Sequence, residues 1–193
     1  MMPLKSERSV LRAGQILLLS AGLLYAFLAR GQAGVYLETN DFLAQAFNPV
    51  PASETLWLDD TLRATLAEIL THPYRGLRVR FWREGSKTVW ILNEIGKEKP
   101  ITIGVVVDRM RVERVAVLAF RESRGWEVRH PFFTDQFTGA GTGLNAGLDT
   151  PIDGISGATL SVRAVTRVTG MALHLHMHVM AASVAGAQPG QSR

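Results

Sequence analysis

The chain is 193 residues long, 47% hydrophobic and 20% charged, with a formal net charge of +4 at pH 7. That suits one domain of ordinary size plus an appendage. There is no cysteine, which excludes disulfides, thiolate metal sites, cysteine nucleophiles and lipoprotein acylation while saying nothing of compartment. The densest positive set, Arg75, Arg78, Arg80 and Arg83, alternates with apolar residues as on one face of a strand. It reads as a solvated face rather than a nucleic-acid footprint.

At the N-terminus Lys5, Arg8 and Arg12 precede an uncharged run from Ala13 to Ala29. As a helix that run spans about 25 Å, a little short of the ~30 Å hydrocarbon core. Snorkelling by Arg12 and Arg30 and local thinning absorb the difference. More positive charge stands before the run than after it, which holds the tail in the cytoplasm and exports the rest. The expectation is one N-terminal transmembrane helix in the inner (plasma) membrane, with the domain on the periplasmic or extracytoplasmic side. A cleaved signal peptide is the rival, because Gly31-Gln32-Ala33 offers small residues for processing.

From Gly34 to Pro51 the chain reads as a connector with a short helix around Asn40–Phe47, closed by Pro49 and Pro51. Asp59 and Asp60 then cap a helix over Thr61–Thr71, whose stripe is Leu62, Leu66, Ile69 and Leu70. Leu77–Arg83 alternates as a strand, with Leu77, Val79 and Phe81 inward; Gly85-Ser86 turns it and Thr88–Leu92 pairs back. Ile101–Val107 suits an interior strand, Asp108–Arg111 a turn, and Val112–Phe120 a further strand. Phe120–Gly143 leaves regular structure. The predicted fold class is α+β, an antiparallel sheet packed by helices and preceded by the transmembrane helix. The segments expected are 1–33 as tail and anchor, 34–60 as connector, 61–182 as the domain and 183–193 as a flexible tail.

The most informative stretch is Asp153-Gly154-Ile155-Ser156-Gly157-Ala158-Thr159-Leu160-Ser161. Asp153 and Gly154 favour a turn. Gly157 and Ala158 have almost no side chain, so another molecule can approach the backbone. Beyond Leu160 a helical stripe begins: Ala164, Val165, Val168, Met171, Ala172, Leu175 and Val179. Thr159 thus falls at or just before a helix N-terminus, where free N–H groups and the macrodipole favour a phosphate. The plainer alternative makes Ser156 or Thr159 a simple N-cap.

This stretch resembles the Asp-x-x-Ser/Thr-Gly-Ala-Thr motif of the FMN-binding domain family, with Asp153, Ser156, Gly157, Ala158 and Thr159 in the matching positions. The family includes flavin-carrying subunits of the sodium-translocating NADH:quinone reductase and of Rnf-type electron transport complexes. A second likeness lies upstream, in Glu122, Ser123 and Gly125 and then Gln136, Phe137 and Gly139. There Arg124 replaces an expected proline and Trp126 a leucine. The resemblance covers roughly Gly76 to Val179. It implies FMN joined to Thr159 through a phosphoester bond, installed from FAD by a separate flavin transferase. Ser156, Gly157 and Ala158 would let the phosphate lie against backbone N–H groups. Asp153, with Gly154 beside it, would be read by the transferase and its metal, a turn-forming role being its equal rival. Glu122, Ser123 and Gly125 would line the flavin ring. Phe137 reads as core before it reads as a flavin contact.

His174 and His178 stand i, i+4 on the last helix, with His176 between them. The pair shares a flank with Arg163 and Arg167, so a solvated face outweighs a metal or haem site, and no metal site is assigned. No catalytic residue is assigned either: the ring carries the redox chemistry and the protein positions it. The sequence therefore predicts a membrane-anchored flavoprotein exchanging electrons with a separate donor and acceptor. Two alternatives stand beside it, a flavin-dependent reductase with its own small substrate and a flavin-free exported binding module.

Overall fold

A computed structural model describes residues 34–144 and 147–186 of the protein. The expected anchor lies outside them. Among the described residues no helix is long and apolar enough to cross a membrane.

Among the described residues the sheet has five strands, β1 (Ser53–Trp57), β2 (Arg78–Glu84), β3 (Lys87–Ile95), β4 (Pro100–Asp108) and β5 (Arg111–Ala119), with alternation clearest in β2. They pair antiparallel in simple sequence order, a five-stranded meander. The hairpin at Gly85-Ser86 and the turn at Asp108–Arg111 are where the sequence puts them. The α+β class is as expected. Among the described residues four helices accompany the sheet: α1 (Thr39–Ala46), α2 (Asp60–Leu70), the single turn α3 (Pro131–Thr134) and the long α4 (Thr159–Gly186). Asp59 caps α2, its carboxylate accepting from Leu62 N–H at 2.7 Å. Two 3₁₀ turns, Trp126–Arg129 and Asp135–Phe137, bracket α3.

The main core lies between the sheet and the pair α2 and α4. Every residue of the predicted α4 stripe is buried there, together with Val79, Phe81, Trp90, Ile103 and Val105 from the strands. Phe137 is fully buried, its ring edge-on to Phe133 at 5.3 Å, which settles it as core. The opposite sheet face carries a smaller core, in which Phe42 and Leu43 of α1 and Phe47 just after it cover Val89, Val106 and Leu118. β4 is therefore apolar on both sides, as an interior strand must be.

Phe42 reaches the second face only because Gly104 has no side chain. A Cβ at Gly104 would stand 2.5 Å from the Phe42 ring. Gly104→Ala is expected to cost about 1–3 kcal/mol through overpacking, read as a lower urea midpoint with an unchanged slope.

Three features depart from expectation. β1 falls inside the supposed connector, and Leu77, expected to point inward, stands just before β2 and is exposed. The histidines of α4 separate as well. His178 is exposed and His174 half-buried, whereas His176 is fully buried. Trp90 Nε1–H donates to Thr88 Oγ1 at 2.9 Å, and that hydroxyl meets His176 Nδ1 at 2.7 Å. His176 Nε2 has no partner among the described residues.

Burial pushes the His176 pKa down, with Asp108 pulling weakly the other way. The unfolded chain therefore takes up a proton that the folded protein resists. Stability from this group is present above about pH 6.5, the ordinary value, and is lost as pH falls below it. His176→Leu is expected to flatten that acid limb in denaturation curves between pH 5 and 8. An unchanged limb would assign it to other groups.

Candidate functional site

The site is built from the N-terminus of α4 upward. Ala158 N–H donates to Ile155 C=O at 3.0 Å across a four-residue turn, with Gly157 at φ 82°. That is the φ a glycine adopts at the third position of a type II turn without steric cost. The turn is thus Ile155–Ala158, not Asp153-Gly154: Gly154 has no positive φ, and open space surrounds it. Val162 N–H then closes the first helical bond onto Ala158 C=O at 2.9 Å. Ala158 accordingly holds the N-cap position and has no hydroxyl to offer, so the simple-cap reading of Ser156 and Thr159 falls. Thr159, Leu160 and Ser161 occupy the first helical turn, where N–H groups lack intrahelical acceptors. Among the described hydrogen bonds, no side chain reaches them. Thr159 itself is exposed, at the positive end of a 28-residue helix.

Two distant stretches fold against this turn. The loop after β5 brings Glu122 under the β3–β4 hairpin. There its Oε1 accepts from the N–H groups of Lys97, Glu98 and Lys99 at 2.5, 2.6 and 2.8 Å. Desolvation pushes the Glu122 carboxyl up, but these three bonds and the Lys99 charge outweigh it and hold its pKa below the ordinary value. Its contribution to stability is present above the unfolded-state pKa and is lost as pH falls through the folded one. Three residues on, Gly125 (φ 82°) lies so close to α4 that a Cβ would stand 2.5 Å from Ser161 Oγ. Further along, Gln136 Oε1 accepts from Asp153 N–H at 2.8 Å, which fixes the approach to the turn.

Between these parts runs a cleft of about 280 Å³, lined by Lys97, Glu122, Arg124 and the run from Gly157 to Ser161. Of the residues singled out in the sequence, Glu122, Gly157, Ala158 and Thr159 share this cleft. Gly125 stands behind it against Ser161. Asp153, Gly154 and Ser156 are exposed on the approach, and Ser123 is exposed without lining it. Lys97 was not anticipated. It sits in the short Gly96-Lys97-Glu98-Lys99 link, and only the pairing of β3 with β4 carries it to α4.

A second unanticipated pair lies at the same end of the sheet. His72 Nε2 meets Glu94 Oε1 at 2.8 Å, and Glu94 is buried. The hydrogen bond to Glu94 raises the His72 pKa, against desolvation. Because the folded pKa is raised, this contribution is complete below about pH 6.5 and lost as pH climbs through the folded value. The effect is opposite in sign to that of His176. Among the described residues no group of three or more His, Asp or Glu is placed to hold a metal. A larger hollow of about 640 Å³ sits at the far end of α4, between Met110, Met177 and Met180, remote from Thr159.

The donor set at the cleft suits a phosphate. It joins unpartnered N–H groups at a helix N-terminus, small residues that leave the backbone open, the cations Lys97 and Arg124, and one exposed hydroxyl. No curated protein sequence matches the chain. Residues 96–174 match the family model described as the FMN-binding domain, a span holding the Glu122 clamp, Gly125, the Ile155–Ala158 turn and Thr159. That match, over less than half of the chain, and the phosphate-ready turn inside it make residues 96–174 similar to the FMN-binding domain family and support a flavin-binding role.

Proposed function

We propose that the protein is a membrane-anchored, extracytoplasmic electron-transfer flavoprotein carrying FMN covalently on Thr159. The observation that supports the covalent reading is the exposed Thr159 hydroxyl at the first turn of α4, beside N–H groups that no side chain caps. A flavin transferase would join Thr159 Oγ to the FMN phosphorus of FAD, with AMP leaving and the hydroxyl proton lost. Lys97 and Arg124 would offset the phosphate charge, and the N–H groups of Thr159, Leu160 and Ser161 would donate to its oxygens. When bound, the isoalloxazine ring supplies the one- and two-electron chemistry. A phosphoester tether suits a compartment where lost flavin is not replaced.

The donor and acceptor would be separate redox proteins or membrane carriers. The Ala13–Ala29 run supports the anchor and the outward topology. The test is co-expression of the full chain with a flavin transferase, followed by acid precipitation. Covalent flavin stays yellow in the pellet. Colour that passes wholly into the supernatant means FMN is held without a bond, and a colourless protein favours the flavin-free module.

A further inference from the structure

We propose that the end of the sheet bearing the Thr159 cleft is a bilayer-docking face. This rests on the anchored reading above but not on the flavin. The strand register places the ends of β1, β3 and β5 and the starts of β2 and β4 together, through Trp57 opposite Arg78, Ile95 opposite Pro100 and Thr102 opposite Ala119. At that end the protein leaves large apolar side chains in solvent: Trp57 (65% exposed), Leu77 (62%) and Ile95 (51%). Tyr36, Trp126 and Leu160 join them at 46%, 44% and 44%. Each is held there by a contact already at this end. Tyr36 N–H donates to Leu118 C=O, Leu77 C=O accepts from Leu58 N–H, Leu160 lines the cleft, and Trp126 follows Gly125.

Single exposed apolar residues are ordinary on a soluble surface; several from separate segments converging on one end mark an interaction face. Their chemistry narrows the occupant. Arg78 lies over the Trp57 ring at 5.6 Å, and Arg129 lies between Tyr36 (4.1 Å) and Trp126 (5.1 Å). Tryptophan and tyrosine with arginines alongside is the composition of the membrane–water interface, where rings sit at headgroup depth and guanidinium groups reach phosphates. Lys97, Lys99, Arg121, Arg124 and Arg163 are exposed near the same end, but so are Asp59, Asp60, Glu98 and Asp153. Partition of the apolar side chains, rather than net charge, is therefore the main driver.

Chain length agrees. Tyr36 enters the domain at this end, and the stretch from Ala29 to Tyr36 spans at most about 25 Å. Among the described residues the opposite end exposes Met110, Leu144 and Met177, with Trp82 only partly exposed there, and the sheet separates it from the cleft by about 30 Å. Docked in this way, the protein holds its cleft at the bilayer surface, and the redox partner it reaches is one bound to or dissolved in the membrane.

The absence of cysteine allows a direct test. Single nitroxide labels go on Ile95→Cys and Trp126→Cys, with Met110→Cys and Glu84→Cys at the far end as controls. The full chain is reconstituted in vesicles of phosphatidylcholine and phosphatidylglycerol and floated in high salt. Relaxation by oxygen, which concentrates in lipid, is compared with relaxation by a water-soluble nickel chelate. The proposal predicts an oxygen-to-nickel ratio several-fold higher at positions 95 and 126 than at 84 and 110. Protein that floats with water-like values at all four positions keeps its anchor and loses the docking face. Labels at 95 and 126 shielded from both reagents would mean contact between copies instead and overturn the proposal. Protein that does not float overturns the docking face and the anchor together, leaving the flavin assignment to its own test.

Discussion

A Thr159→Ala protein matured alongside a flavin transferase is expected to carry no covalent flavin, and a Thr159→Ser protein to carry it. Removing Oγ removes the only atom of that side chain able to bond phosphorus; serine keeps it in the same place on the same turn. Stability is expected to move by less than about 0.5 kcal/mol, because the Thr159 side chain is exposed and alanine is the better helix former. That separation is what makes the experiment informative. Loss of flavin with an unchanged melting temperature isolates attachment, whereas loss of both would trace the effect to folding. Full modification of Thr159→Ala would move the bond to another residue.

The second large effect is expected at Gly125. Its φ of 82° already disfavours any side chain, and a Cβ would stand 2.5 Å from Ser161 Oγ in the first turn of α4. Left-handed strain of about 1–2 kcal/mol and overpacking of about 1–3 kcal/mol together put Gly125→Val at roughly 2–5 kcal/mol of destabilisation. The damage falls on the turn that presents Thr159, so flavin loading is expected to drop more steeply than the melting temperature when the two are followed on the same samples. Gly154→Ala makes the contrast. Its surroundings are open and its φ ordinary, and it is expected to fold and load as the parent does.

Much of this fold was legible because its signals are local. The α4 stripe follows from 3.6-residue spacing within one segment, and β2 to β5 from alternating or continuous apolar runs between turn residues. β1 was not, since Ser-Glu-Thr-Leu-Trp is short and none of its residues is buried; only pairing with β2 makes it a strand. His176 escaped for a related reason. α4 packs against both the sheet and α2, so the buried arc is wider than one stripe and takes in Thr169, Leu173 and His176. Within the motif, two glycines compete for the turn. Gly157 takes it because the chain must enter α4 immediately afterwards, which composition does not reveal. The Glu122 clamp, Lys97 and the His72–Glu94 pair depend on residues more than twenty positions apart. Their meeting is a property of topology, which a single sequence does not display.

The pH behaviour gives the buried groups a combined signature. His176 loses stability on the acid side, and the His72–Glu94 pair loses it as pH climbs past the ordinary histidine value. The parent is therefore expected to be most stable near neutrality, and His72→Ala to remove the decline on the alkaline side while sparing the acid limb.

The central claim, a covalent bond between FMN and Thr159, is tested most directly by mass spectrometry of the intact full-length protein and its peptides after co-expression with a flavin transferase. A gain of one FMN less one water is expected, confined to the peptide containing Gly157-Ala158-Thr159. An unmodified Thr159 in protein that nevertheless binds FMN would contradict it, leaving a flavin-binding domain without the bond.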